Sequence, residues 1–191
     1  LGSSALLNCT TGTYNTGVGF QALVTQNTAN HNVGMGYASG YNATTGSANV
    51  FIGNYAGHGH TTGSYSTYVG YQAGNGNTTG LYNTYLGGFS GYYGTTAQYS
   101  ACVGYYSGFN LTTNGYQAFL GYYAGSNTTG TGYGNVCIGY NAQAGGTTQA
   151  TGNNRHTSIV LGYNTLGVGT GYFTFGTGTG NSRVYNQFGA N

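Results

Sequence analysis

Aliphatic residues followed by glycine recur along the chain at a nearly fixed interval. The first seven of these glycines are spaced by 17 residues each, and the later spacings are 18, 23 and 14. We call them the anchor glycines, and the most regular are Gly19, Gly36, Gly53, Gly70, Gly87, Gly104, Gly121 and Gly139. So strict a period over so many copies predicts a repeat architecture with one structural unit per period, in which these glycines are structural anchors.

Other positions keep the same period relative to the anchor glycine. A small amide or hydroxyl residue stands four before it, an aromatic residue commonly follows it, and a second glycine stands four after it. The residues just before it alternate and are rich in Tyr, Thr and Val, which favours strands. Helix is excluded, because glycine at about every fourth residue costs roughly 1 kcal/mol each time. The pattern predicts an all-β, parallel β-roll or β-solenoid, with two short strands and two turns in each 17-residue coil.

The period also predicts which side chains face inward and how the chain is divided. We expect the aliphatic residue before each anchor glycine to be buried. We expect the aromatic residue two before it to face outward, in a column that contains Phe51, Tyr68, Tyr85 and Phe119. Residues 8–150 form the regular repeats, and residues 151–191 form irregular terminal coils and a C-terminal fibre tip or linker. Burial of one aliphatic residue per coil stabilises the fold by much less than the conformational entropy of ordering the backbone costs. A partner surface is therefore needed, and we predict a homotrimeric fibre.

The composition excludes several classes of function and leaves the predicted fold unchanged. The chain of 191 residues has 40 Gly, no Asp, no Glu and only two basic residues, Arg155 and Arg183. Without carboxylates, acid–base pairs and cages for hard cations are excluded, so an enzyme is not expected. Two arginines cannot neutralise a nucleic-acid backbone, and the chain has no apolar run long enough to insert in a membrane.

The amide content leaves two hypotheses open. The sequence has 22 Asn and 8 Gln beside no acid. Either the chain is a naturally uncharged fibre segment, or some amide positions carry the acid of the same shape in the protein itself. A glycan-cleaving tailspike would require the second hypothesis.

Several segments resemble a known group of repeats. Residues 15–23 read NTGVGFQAL, residues 49–57 read NVFIGNYAG and residues 66–74 read STYVGYQAG. Over about residues 8–170 the chain resembles the NTAIGYQAG…NTTG repeats of phage and viral tail fibres and tailspikes. It is similar, more distantly, to the head repeats of trimeric autotransporter adhesins. In the tail-fibre family such repeats often precede an intramolecular chaperone of the endosialidase type, and residues 177–191 resemble the linker before it.

A histidine pair is the sharpest candidate metal site. His58 and His60 are separated by one residue, so their imidazoles can share a face, and three chains would bring six imidazoles to one metal on the fibre axis. The resemblance implies iron or another transition metal, because some phage fibres bind iron through such a motif. The alternative is a solvated turn. No other cofactor is expected.

Cys9, Cys102 and Cys137 have no ligand spacing and are expected to fill space rather than form disulfides.

Rows of tyrosine are the candidate glycan-binding surface. Tyr68, Tyr71, Tyr85, Tyr105 and Tyr122 would stack on the sugars of a host cell-surface glycan and hydrogen-bond their hydroxyls. The alternative is that these rows are buried between subunits or stiffen the rod.

The repeat and the resemblance together favour a structural protein at a virion surface or in the extracellular space. The first hypothesis is a trimeric shaft of a phage or viral tail fibre or tailspike, with attachment to a host glycan or protein receptor. The second is a bacterial extracellular adhesin or filament subunit of the same β-roll type. An ice-binding solenoid is less favoured, because it needs a flat Thr-x-Thr face. The threonines of this chain are adjacent, as in Thr61 and Thr62, and adjacent strand residues point to opposite faces.

Overall fold

The computed structural model describes residues 2–113, 115–128, 133–144, 158–167, 172–177 and 186–187, and within them it contains one sheet that is parallel except for its last strand. The strands are β1 (Thr16–Val18), β2 (Val33–Met35), β3 (Val50–Ile52), β4 (Thr67–Val69), β5 (Thr84–Leu86), β6 (Ala101–Val103), β7 (Ala118–Leu120), β8 (Val136–Ile138), β9 (Ile159–Tyr163), β10 (Tyr172–Thr177) and β11 (Asn186–Gln187). They lie in chain order, with β1 to β10 parallel and β11 antiparallel to β10. No helix in the described part of the chain is long and apolar enough to cross a membrane.

The strands pair in register with the sequence repeat. Thr67 of β4 lies opposite Thr84 of β5, and Tyr68 lies opposite Tyr85, so each residue pairs with its counterpart one period later. The prediction of an all-β solenoid with about 17 residues per coil is confirmed. The prediction of two strands per coil is wrong, because each regular coil contributes one strand of three residues. The rest of each coil is a chain of turns whose N–H groups donate to carbonyls of neighbouring coils, as from Gly74 to Ser90 at 2.8 Å.

Left-handed residues at fixed positions replace the second strand. Non-glycine residues five before the anchor glycine have φ between 53° and 60°, and those two after it have φ between 48° and 57°. These angles turn the chain sharply, which no extended strand could do. Tyrosine occupies several of these positions, such as Tyr65 and Tyr106. Left-handed corners are mostly associated with Gly, Asn and Asp, so residue preferences alone do not predict them at these positions.

The anchor glycine ends each strand where two coils approach closely. Gly70 has a φ of 135°, a region that side chains rarely enter. A Cβ placed there would lie 2.6 Å from the carbonyl carbon and oxygen of Gly87, the anchor glycine of the next coil. Backbone conformation and space therefore both require glycine at this position.

The interior of the solenoid contains the middle residue of each strand. Phe51, Tyr68, Tyr85 and Phe119 are at most 1% exposed, and the rings of Tyr68 and Tyr85 stack at 4.9 Å. The prediction that this column faces outward is wrong. The coil interior is narrow and walled by small residues such as Ala73, so a large ring at this position fills much of it. The strand residues on either side of that ring must then point outward.

Large and small residues alternate between two positions that meet inside the coil. A Cβ on Gly57 would lie 2.3 Å from the ring of Phe51, so glycine leaves room for the aromatic side chain. In the first coils the strand position carries glycine and the other position carries the large side chain. Gly34 occupies the inward strand position, and the side chain of Leu23 lies against it, 2.6 Å from where a Cβ would be. A large group at one of these two positions is therefore matched by glycine at the other.

A ladder of buried amides and hydroxyls runs parallel to the core, four residues before the anchor glycines. The Oδ1 of Asn32 accepts the N–H of Asn49 at 2.7 Å, and the Oδ1 of Asn49 accepts the N–H of Ser66 at 2.9 Å. The Nδ2 of Asn49 donates to the carbonyl of Gly63 at 3.0 Å. An aspartate there would lose the donor and bury an unpaired charge. The geometry therefore favours amides at these positions.

Candidate functional site: the outward columns

The outer face of the sheet carries an exposed aliphatic column. The residue before each anchor glycine points outward, and in this column Ile52 is 37% exposed and Leu120 is 50% exposed. The prediction that these residues form the core is wrong, for the geometric reason given above. The exposed members of the column are Val18, Met35, Ile52, Leu120 and Ile138, and its half-buried members are Val69, Leu86 and Val103. A continuous apolar row on a soluble surface is typical of a contact with another protein.

The five candidate glycan-contact tyrosines divide between the inside and the outside. Tyr68 and Tyr85 are fully buried and cannot reach a glycan, so those two assignments are corrected. Burial raises the pKa of both phenols. Tyr71, Tyr105 and Tyr122 directly follow an anchor glycine and are exposed. Only these three stay available to an external ligand.

Most rings in this exposed column cover each other's faces. The ring of Tyr122 stacks on that of Tyr105, with centroids 5.7 Å apart, and on that of Tyr140 at 5.3 Å. A ring with a neighbour on each face has no face left for a sugar. It presents only its edge and its hydroxyl to the solvent.

A second aromatic column lies on the other side of the strands, five residues before the anchor glycines. We call it the tyrosine ladder, and its rungs are Tyr14, His31, Ala48, Tyr65, Tyr82, Tyr99 and Tyr116. The rings of Tyr65 and Tyr82 stack at 5.1 Å with an interplanar angle of 3°, and those of Tyr99 and Tyr116 stack at 5.0 Å. Sequence reasoning did not single out this ladder, although a 17-residue recurrence of tyrosine was present to show it.

The two histidines of the candidate metal site lie in different surroundings. His58 is half-buried, and its ring stacks on Tyr41 at 5.1 Å. His60 is fully buried, and its ring lies 5.2 Å from that of Phe51 and 5.7 Å from that of Tyr68. The expected common face is therefore absent, because residue 60 belongs to an inward column, with Ala43 one coil before it and Asn77 one coil after it. Among the described residues, no group of three or more His, Cys, Asp or Glu is placed to hold a metal.

Burial lowers the pKa of both imidazoles. For His60 the cause is almost complete desolvation, which backbone groups of Gly63 and Asn77 oppose only in part. Neither ring nitrogen of His60 is in hydrogen-bonding geometry with a partner. For His58 the cause is partial desolvation. His60 is therefore a neutral side chain that fills the core.

The cysteines fill space as expected. All three are free, and Cys102 and Cys137 are buried in the inward strand column. Burial raises the pKa of the Cys102 thiol and raises that of Cys137 to about 12.

Several predictions about the end of the chain concern residues outside the described ranges. These are Arg155, Arg183 and most of the linker-like stretch 177–191. No protein-family model, curated protein or solved structure shows significant similarity to the chain.

Proposed function

We propose that this chain is a shaft segment of a homotrimeric fibre of a phage or virus, carried outside the cell at the virion surface. Its role is structural rather than catalytic, with attachment to a host glycan or protein receptor along its outward columns. The single observation that carries the proposal is the exposed aliphatic column in the outer face of the sheet.

The period of the column favours further copies of the same chain as its partners. The column offers one aliphatic side chain per coil, at the strand spacing of about 4.8 Å. Another rod with the same rise can match it along its whole length, whereas a globular partner would meet only a few rungs. The described residues of the column and its flanks carry no charged side chain, so burial costs no desolvation of charge.

The face alone is smaller than one side of a standard-sized protein interface. Eight coils at about 4.8 Å, and about five residues of width at about 3.3 Å each, give roughly 600 Å² per chain. A stable interface of standard size buries about 800 Å² per partner. In a threefold arrangement with this face towards the axis, each chain would contact both neighbours through the same stripe.

Native mass spectrometry of the intact chain and of lysine variants tests the proposal. We expect the wild type at three times the denatured mass, and Ile52→Lys at the mass of one chain, because a charge would be buried at the axis. Thr62→Lys is the matched control, since Thr62 is exposed in a turn between coils and outside the column. A wild type with the mass of one chain, and unchanged circular dichroism in all three proteins, would overturn the trimer.

A further inference from the structure

The tyrosine ladder has one missing rung. Ala48 occupies the position between His31 and Tyr65 in a column that is otherwise aromatic from Tyr14 to Tyr116. We propose that this gap is a preformed slot for one pyranose ring of a neutral saccharide, held between the imidazole of His31 and the phenol of Tyr65. The proposal deepens the host-attachment part of the proposed function, which it takes as its starting point.

Each wall of the slot has one face covered and one face open. Tyr14 stacks on the outer face of His31 at 4.9 Å and 9°, and Tyr82 stacks on the outer face of Tyr65 at 5.1 Å and 3°. The two inner faces are turned towards the rung that Ala48 leaves empty. The walls are therefore parallel to the rungs of the ladder and are supported from behind.

Exposure of the rungs agrees with an open face at the gap. Tyr82 and Tyr99, which have a stacked ring on both sides, are 47% and 42% exposed. Tyr65 has one stacked neighbour and is 60% exposed. Tyr116, whose next neighbour is tilted rather than stacked, is 58% exposed. A missing neighbour thus leaves one ring face accessible at Tyr65.

The width of the gap suits one ring. Two rungs of about 5 Å separate His31 from Tyr65, so a ring at the middle would lie about 5 Å from each wall, within the usual range for ring stacking. A pyranose chair presents C–H groups on both faces, and can therefore contact both walls at once.

The rim of the slot is polar and uncharged. The Oγ of Ser47 accepts the N–H of Asn30 at 3.1 Å, and the Oγ of Ser64 accepts the N–H of Ser47 at 3.0 Å. Each hydroxyl acts as an acceptor in these bonds, which leaves its hydrogen to donate to a ligand oxygen. One coil further on, the same column carries the apolar residue Leu81. Aromatic walls with a neutral hydroxyl rim favour a neutral sugar over a phosphate or a carboxylate.

The chain itself supplies the variant that closes the slot. Ala48 has a φ of 59°, and the tyrosines of the same column have φ between 53° and 60°, so tyrosine is compatible with this backbone. Ala48→Tyr would complete the ladder and fill the gap without removing any group. Tyr65→Ala would instead remove one wall.

Saturation-transfer difference NMR on the full chain tests the slot, with methyl glucoside, galactoside, mannoside and N-acetylglucosaminide pyranosides as probes. We expect at least one of them to bind the wild type with a dissociation constant on the order of millimolar. Ala48→Tyr and Tyr65→Ala should weaken that binding at least tenfold, while Tyr99→Ala should leave it unchanged. Para-cresol is the aromatic comparison probe.

Three results would overturn the slot. These are no binding of any glycoside to the wild type, equal binding to Ala48→Tyr, and binding of para-cresol alone. The slot is formed within one chain, so its failure is distinguishable from failure of the fibre proposal. Native mass reports the assembly whether or not a sugar binds.

Discussion

The buried histidine of the third coil makes the stability of the solenoid depend on pH. His60 is fully buried and desolvation lowers its pKa below the ordinary value of 6.5, so the folded chain holds it neutral. The stability that neutral His60 contributes to the folded chain is fully present above pH 6.5. As the pH falls below that value, the unfolded chain takes up a proton that the folded chain does not, and the free energy of unfolding falls.

The size of this effect follows from proton linkage. Each pH unit is worth about 1.4 kcal/mol while only the unfolded state binds the proton, so lowering the pH from 6.5 to 5 costs at most about 2 kcal/mol. The comparison variant is His60→Leu, because Leu111 occupies the same coil position and is also fully buried. Leucine has no nitrogen to leave without a partner, so this variant should be at least as stable as the wild type at pH 7.

Denaturant unfolding at several pH values, followed by circular dichroism, measures the difference. The wild type should lose stability relative to His60→Leu between pH 6.5 and pH 5. The other histidines are common to both proteins and cancel in the comparison. Parallel pH profiles for the two proteins would refute the reasoning, since they would mean that His60 is protonated equally in the folded and unfolded states.

Two further predictions test which side chains face inward. Tyr68→Ala should destabilise the chain by about 3–5 kcal/mol, because it empties the narrow coil interior, whereas Tyr71→Ala should cost less than about 1 kcal/mol; equal losses in urea unfolding would contradict the assignment. Iodoacetamide should modify Cys9 in the native chain and reach Cys102 and Cys137 only after denaturation, because burial raises the pKa of both thiols. Mass spectrometry counts the adducts, and rapid native labelling of all three would show that the core opens readily.

The sequence period was enough to predict the solenoid, the coil length and the register. Inside and outside could not be read from hydrophobicity alone, because aliphatic and aromatic residues alternate in a strand of only three residues. The pattern that identifies the inward positions is a compensation in side-chain size between two positions of the repeat. Where the inward strand position is Phe51, the position eleven residues earlier is Gly40, and where the strand position is Gly34, the earlier one is Leu23. Such compensation is expected only of side chains that share one space.

The left-handed corners could not be predicted in the same way. Tyr65 and Tyr106 adopt a backbone conformation that single-residue preferences disfavour, and each coil imposes it through hydrogen bonds to the neighbouring coils. Without those corners the tyrosine ladder cannot be placed, and without the ladder Ala48 is an ordinary small residue. The sequence therefore shows which position in the column lacks an aromatic residue, but it does not show that this column stacks on the surface.

Departures from the repeat show where the surface of one coil differs from that of its neighbours. Coils stack because each one repeats the shape of its neighbours. A residue that interrupts an outward column therefore adds nothing to the stability of the stack. The third coil breaks two columns, with Ala48 in the tyrosine ladder and Asn54 in place of the aromatic residue after the anchor glycine. Its inward positions keep the core filled, through Phe51 and His60. The interior of this coil thus preserves the stacking of the solenoid while its surface differs from that of the neighbouring coils, as the proposed saccharide slot requires.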